Sequence, residues 1–150
     1  MSGMDEEMVV GAGPVVVFLC VHNAGRSQMA MGWFNQLAGG QAVARSGGSE
    51  PAHGLNPMAV AAMAEVGIDI GKARPARWTM DLLGQADVVI TMGCGDSCPV
   101  LPATRYEDWP LEDPAGRDLA DVRPIRDQIE QQVRDLLDSL GVTPVDGPRR

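Results

Sequence analysis

Eight consecutive residues, Cys20-Val21-His22-Asn23-Ala24-Gly25-Arg26-Ser27, bring together a thiol, a guanidinium and a hydroxyl. A cysteine ends an apolar run, five loop residues follow, and Arg26-Ser27 open a helix-compatible segment. A loop this short, curling around a point, turns successive backbone N–H groups inward and makes an anion-binding concavity. The helix that follows adds its free N–H groups and the positive end of its dipole. Such surroundings stabilise a thiolate, the nucleophilic form of cysteine. Arg26 offers a planar fork to two oxygens of a tetrahedral oxyanion, and Ser27 can donate its hydroxyl to the thiolate. Asn23 and Gly25 suit the positive-φ positions of a tight loop. The pattern C-x5-R alone is weak, because both residues are common and Cys20 could be an inert strand end. Strand before, helix after, with Asn and Gly inside and Ser next, make it a cradle for phosphate-like anions with a nucleophile at its floor.

The elements that must hold this loop can be read along the chain. Val15–Cys20 is continuously apolar and β-branched at its start, as in a strand buried on both faces. Residues 27–38 have helical apolar spacing, with Gly39-Gly40 as a stop. Residues 41–45 read as a second strand, and residues 87–92 as another buried one. Residues 56–66 read as a helix with Asn56 as cap, Pro57 in the first turn and Gly67 past the end. Residues 79–83 suggest a short helix, and residues 94–118, rich in Gly, Pro and Asp, an ordered loop system. Residues 122–140 make the best helix, with Pro124 in the first turn and Ile125, Ile129, Val133, Leu136, Leu137 and Leu140 along one stripe. This alternation implies an α/β domain with a parallel sheet covered by helices, and ligands beyond the carboxyl ends of its strands. Residues 1–14 read as a flexible extension, 15–141 as the domain and 142–150 as a flexible tail.

Composition restricts the function further. The chain has 150 residues, with 20 acidic and 12 basic side chains and a net charge of −8. That balance argues against a nucleic-acid or anionic-membrane partner, either of which needs a basic face. The charge is uneven: residues 1–75 carry four basic and six acidic groups, residues 76–150 eight and fourteen. The half with the cradle is therefore nearly neutral, and contact-range donors can outweigh carboxylates screened beyond about 8–10 Å. No apolar run approaches the roughly 20 residues of a membrane span, and the N-terminus is unlike a signal peptide. Three cysteines without a secretory signal suggest reactive or buried thiols in a reducing cytoplasm.

The segment 20–30, CVHNAGRSQMA, resembles the active-site loop of the low-molecular-weight protein tyrosine phosphatase fold, in the version carried by arsenate reductases. Agreement continues collinearly over about residues 15–140. Ser46-Gly47-Gly48-Ser49-Glu50-Pro51, Asn56-Pro57-Met58-Ala59 and Glu65-Val66-Gly67-Ile68-Asp69-Ile70 are similar to stretches of that family. So are Tyr106-Glu107-Asp108-Trp109 and Leu111-Glu112-Asp113-Pro114-Ala115-Gly116. The resemblance implies a three-layer fold with a four-stranded parallel sheet. It implies Cys20 as nucleophile, Arg26 as oxyanion clamp, residues 21–26 as the oxyanion loop and Asp113 as acid, with Asp108 a secondary candidate. His22 could tune the thiolate, Trp109 could form pocket wall or core, and Arg45 and Arg105 could recruit anions or pair with carboxylates. Some members bind potassium beside the loop through an acid one helical turn on. Met31 stands near that position, so no metal is expected, and the C-x3-C spacing lacks the second ligand pair of a zinc site.

Phosphatase and reductase share this loop, and the remaining cysteines separate them. The resemblance implies arsenate reduction, a detoxification reaction, with the electrons coming from thiols. Cys94 and Cys98 lie in Gly93-Cys94-Gly95-Asp96-Ser97-Cys98, after a strand, and would relay a disulfide from Cys20. Thioredoxin would then restore the thiols. In a second route, mycothiol with mycoredoxin attacks the Cys20 adduct, and Cys94 and Cys98 need not act. The alternatives are a tyrosine or aryl phosphatase and a non-catalytic oxyanion-binding module. The expected partners are arsenate, with phosphate or sulfate as mimics, and the thiol donor. No bound cofactor is expected, and a monomer is.

Overall fold

The computed structural model describes residues 13–93 and 104–145. Four parallel strands form its sheet. They are β1 (Val15–Cys20), β2 (Val43–Gly48), β3 (Val88–Thr91) and β4 (Arg105–Asp108), in spatial order β2-β1-β3-β4. The helices are α1 (Arg26–Ala38), α2 (Pro57–Glu65), α3 (Met80–Gly84) and α4 (Leu119–Ser139). Register aligns Cys20 with Gly48 of β2, and Leu19 with Thr91 of β3. The carboxyl ends of the three strands therefore reach one edge together, which is where such sheets hold ligands.

Alternation along β1 divides the interior into two cores. Val16, Phe18 and Cys20 face the larger one, with α1, α2 and α4. Val17 and Leu19 face a thinner one with Leu83 of α3 and Val89. The stripe on α4 buries Val122, Ile125, Ile129, Val133, Leu136 and Leu137. Each such side chain contributes about 1.5–3 kcal/mol over its exposed state. Trp109 is core: its ring lies 5.6 Å from that of Phe18, and its Nε1 donates to Glu107 Oε1 at 3.1 Å.

Three expectations shift. β2 runs over Val43–Gly48 rather than 41–45. Its glycines are poor strand formers, but Phe18–Cys20 pairs with them on one side and Gly48 bridges to Arg77 on the other. The stretch expected to be loop contains β4, a short charged edge strand, of the kind that resists edge-to-edge aggregation. Helix α4 starts earlier than expected, because Asp118 caps it by accepting from Asp121 N at 3.1 Å; Pro124 falls inside. Beyond Gly141 the chain still packs: Val142 is buried, and Val145 N donates to Leu37 O at 2.8 Å.

Candidate active site

The loop after β1 owes its shape to donors that tie its carbonyls outward. Ser49 N donates to Cys20 O, Glu50 N to Val21 O, Ala52 N to His22 O and Asn56 N to Ala24 O. Gln28 Nε2 donates to Asn23 O at 3.1 Å, and Met29 N to Gly25 O at 2.9 Å. Six consecutive carbonyls are thus held away from the centre. The peptide N–H groups of the same loop are left on the concave side, where an anion can take them. Most of these donors belong to residues 49–56, between β2 and α2.

Asn23 is buried and sits at φ 51°, the one non-glycine residue with positive φ among those described. Its Oδ1 accepts from Ala76 N at 2.9 Å and from Gln28 Nε2 at 3.2 Å. Its Nδ2 donates to Ser27 Oγ at 2.7 Å. Gly25 departs from expectation: its φ is −132° as the N-terminal neighbour of α1. A β-carbon at Gly25 would lie 2.7 Å from Pro114 Cγ, so it is the close approach of Pro114 that requires glycine there.

Cys20 is buried, and its Sγ lies 2.8 Å from Ser27 Oγ. Ser27 Oγ accepts from Asn23 and keeps its own proton free to donate to the sulfur when Cys20 is a thiolate, which has no proton to give. Arg26 is also buried. Its Nη1 donates weakly to Leu111 O at 3.4 Å, and its Nη2 stands 3.6 Å from Asp113 Oδ2. Gly93, at φ +90°, makes room for it: a β-carbon there would lie 2.4 Å from Arg26 Nη1.

Asp113 is half exposed, with Oδ1 accepting from Ala115 N at 3.0 Å and Oδ2 turned toward Arg26. Asp108 stands apart from the cleft and accepts from Thr91 Oγ1 at 2.6 Å. His22 lines the cleft with Nδ1 3.2 Å from Glu50 O. Arg105 is paired with Glu107; burial pushes the Glu107 carboxyl up, but the hydrogen bonds from Arg105 and Trp109 together outweigh it and hold the group below its usual range. Cys94 and Cys98 lie outside the described residues. Sequence reasoning missed Gln28, Ala76, Asn56 and Gly93. Ala76 acts through its backbone N–H, so no residue type could have marked it.

Cys20, His22, Arg26 and Asp113 open into one cleft of about 390 Å³. Ala52, Pro57, Met58, Pro114 and Ala115 supply much of its wall, and none of the described lining residues is Phe, Tyr or Trp. The residues beside the loop do not fit a potassium ion. Asn23 O, Asn23 Oδ1 and Arg74 O converge within 3.3 Å on Gln28 Nε2, itself a donor. Among the described residues no group of three or more His, Cys, Asp or Glu could hold a metal. No described helix is long and apolar enough to cross a membrane.

At the end opposite its cleft residues, α2 is clamped to α4. The Arg123 hydrogen bond, with Arg126 beside it, holds the Glu65 carboxyl down to about 2 against an opposing desolvation. Arg126 also donates to Ala62 O at 3.0 Å. The clamp fixes the helix that carries Pro57 and Met58 of the cleft wall.

Residues 15–143 match the family described as low molecular weight phosphotyrosine protein phosphatase. Arsenate reductase 2 of Staphylococcus epidermidis is 40% identical over 122 residues, 79% of this chain and 92% of that protein. A thioredoxin-dependent arsenate reductase of Corynebacterium glutamicum superposes with a TM-score of 0.78 at 40% identity. That match covers 88% of this chain, which spans 64% of the length of the Corynebacterium chain. A second arsenate reductase structure, in a phosphate binding state, has a TM-score of 0.73 and 35% identity. It is matched over 85% of this chain and 98% of its own.

Proposed function

The chain belongs to the low molecular weight phosphotyrosine protein phosphatase family, and from that premise we propose that it is a thiol-dependent arsenate reductase. The observation that carries the reading is Ser27 Oγ, which accepts a hydrogen bond from Asn23 Nδ2 and lies 2.8 Å from Cys20 Sγ, where its hydroxyl can donate to a thiolate. The sulfur is thereby supported as a nucleophile at the floor of an oxyanion loop. The arsenate reductases among its relatives favour arsenic as the acceptor.

Arsenate enters the loop, where N–H groups of residues 21–26 and the Arg26 guanidinium take its oxygens. The Cys20 thiolate attacks arsenic, forming an S–As bond, and one arsenic oxygen leaves as water. Asp113, beside Arg26, is the acid that protonates that oxygen. The Cys94 thiolate then attacks Cys20 Sγ. The S–As electron pair passes to arsenic, which falls from As(V) to As(III), and arsenite departs. Cys98 attacks Cys94, closing a Cys94–Cys98 disulfide and freeing the Cys20 thiolate. Thioredoxin supplies the two electrons that reopen this disulfide, in a reducing cytoplasm. The relay rests on the sequence around Cys94 and on a thioredoxin-dependent relative.

An aryl phosphatase would use the same Cys20, Arg26 and Asp113. The described lining residues offer no Phe, Tyr or Trp ring to grip a phenyl group, which favours only weak activity on aryl phosphates. The relay is tested by trapping. Cys98→Ser protein given arsenate without reductant should release one arsenite per chain and show a Cys20–Cys94 link in peptide mass mapping. Full turnover by Cys94→Ser with a small thiol and a glutaredoxin-like partner would establish the external-thiol route instead.

A further inference from the structure

The cations of this chain are distributed unevenly. Ten of its twelve Lys and Arg lie in the described residues. Six of them, Arg26, Arg105, Arg117, Arg123, Arg126 and Arg134, face carboxylates within 4 Å. The other four, Arg45, Lys72, Arg74 and Arg77, are exposed and form no ion pair among the described residues. Cations without a carboxylate partner are free to meet an anionic group brought by another molecule.

These four residues come from β2 and from the segment between α2 and α3, and two adjoining grooves link three of them. Arg45 and Arg74 line one groove, with Ala73 and Leu82. Arg74 and Lys72 line the next, with His53, Leu55, Val60 and Pro75. This second groove shares Gly54 and Pro57 with the cleft over Cys20. Arg77 flanks the strip, where it is held rigid: its Nη1 donates to Ser49 O at 2.8 Å, and its guanidinium stacks 5.1 Å from the Trp78 ring. The acidic groups nearest in sequence are Glu50, exposed beyond the end of β2, Asp69, whose Oδ1 is held by Gly71 N, and Asp81 in the first turn of α3, three against the four cations.

We propose that this strip is the docking surface for the protein that delivers thiols to the cleft, and that this partner presents carboxylates beside its redox-active cysteines. The inference rests on the reductase reading. A small oxyanion needs only the loop, whereas the strip runs away from the loop along two grooves. The grooves also carry apolar side chains between the cations, the mixture of arginine and apolar contact that protein interfaces use. Charges at an interface rim act mainly on encounter and on its salt dependence.

The test compares two reductants with the full-length protein. Arsenate turnover is followed with thioredoxin, its reductase and NADPH, and separately with dithiothreitol. Lys72→Glu/Arg74→Glu should raise the KM for thioredoxin about tenfold and flatten its dependence on ionic strength. The dithiothreitol-driven rate and the melting temperature should stay unchanged, which shows that the variant is folded. Adding Arg45→Glu should raise the KM further. A thioredoxin KM and salt slope within twofold of the unsubstituted protein would overturn the proposal. So would native turnover with dithiothreitol but none with thioredoxin, which leaves the reductase reading standing. Native protein that turns over with neither reductant would remove the reductase reading itself, and the docking proposal with it.

Discussion

Gly93→Ala separates the geometry of this site from the bare presence of its residues. Gly93 touches no substrate in the proposed reaction, and it stands 67 positions from Arg26 in the sequence. At φ +90° a residue with a β-carbon costs about 1–2 kcal/mol. For a chain of this length that amounts to a fall in melting temperature of roughly 3–8 °C. The new methyl would lie 2.4 Å from Arg26 Nη1, so the guanidinium must move by about an ångström to reach ordinary contact. Its present anchors, Leu111 O at 3.4 Å and Asp113 at 3.6 Å, are too long to hold it against that displacement. Losing one aligned donor to a transition-state oxyanion costs about 2.7–4 kcal/mol, or roughly 100- to 1,000-fold in kcat/KM. The assay is dithiothreitol-driven arsenate reduction, with calorimetric titration of phosphate as a measure of oxyanion binding. Gly84→Ala is the control, since a β-carbon there meets nothing within 4 Å. A Gly93→Ala protein that keeps kcat/KM within threefold of the native value would refute this role for Gly93.

Ser27→Ala removes the hydroxyl 2.8 Å from Cys20 Sγ; donated to a thiolate, its hydrogen bond is charge-assisted and worth about 1.5–3 kcal/mol. Alkylation of Cys20 by iodoacetamide at pH 6 should slow by about tenfold or more, and an unchanged rate would count against the Ser27 role. Glu65, held to about 2 by Arg123 and Arg126, contributes stability that is complete above its ordinary value of 4.5. That contribution is lost as the pH falls from 4.5 through 2. Melting curves between pH 6 and pH 2.5 should therefore fall less steeply for Glu65→Gln than for the native protein, and parallel curves would refute the assignment.

The parts of the site that lie close together in sequence were legible there. A β-branched run, a polar loop and a helix signal within some two dozen residues define β1, the loop and α1, because each forms by local rules. Asn23 could be expected at positive φ because its short polar side chain tolerates the left-handed region. What holds the loop open was not legible. The donors from residues 49–56 and from Ala76 are backbone groups, brought to the loop by the pairing of β2 with β1. β4 was hidden because Arg-Tyr-Glu-Asp has no apolar alternation and becomes a strand only by pairing with Val88–Thr91. Asp108 and Asp113, five residues apart, looked similar in the sequence. The fold separates them, sending Asp108 to Thr91 and turning Asp113 toward Arg26.

The central claim is that the Cys20 thiolate is the nucleophile for arsenate. Its direct measure is arsenite produced per chain by Cys20→Ser and by native protein, with arsenate and excess dithiothreitol, resolved by chromatography with arsenic detection. The serine keeps the loop and Arg26 but cannot hand an electron pair from sulfur to arsenic. Native protein should give multiple turnovers, and Cys20→Ser should leave arsenite at the reagent-only background. Arsenite formation by Cys20→Ser above that background would contradict the claim.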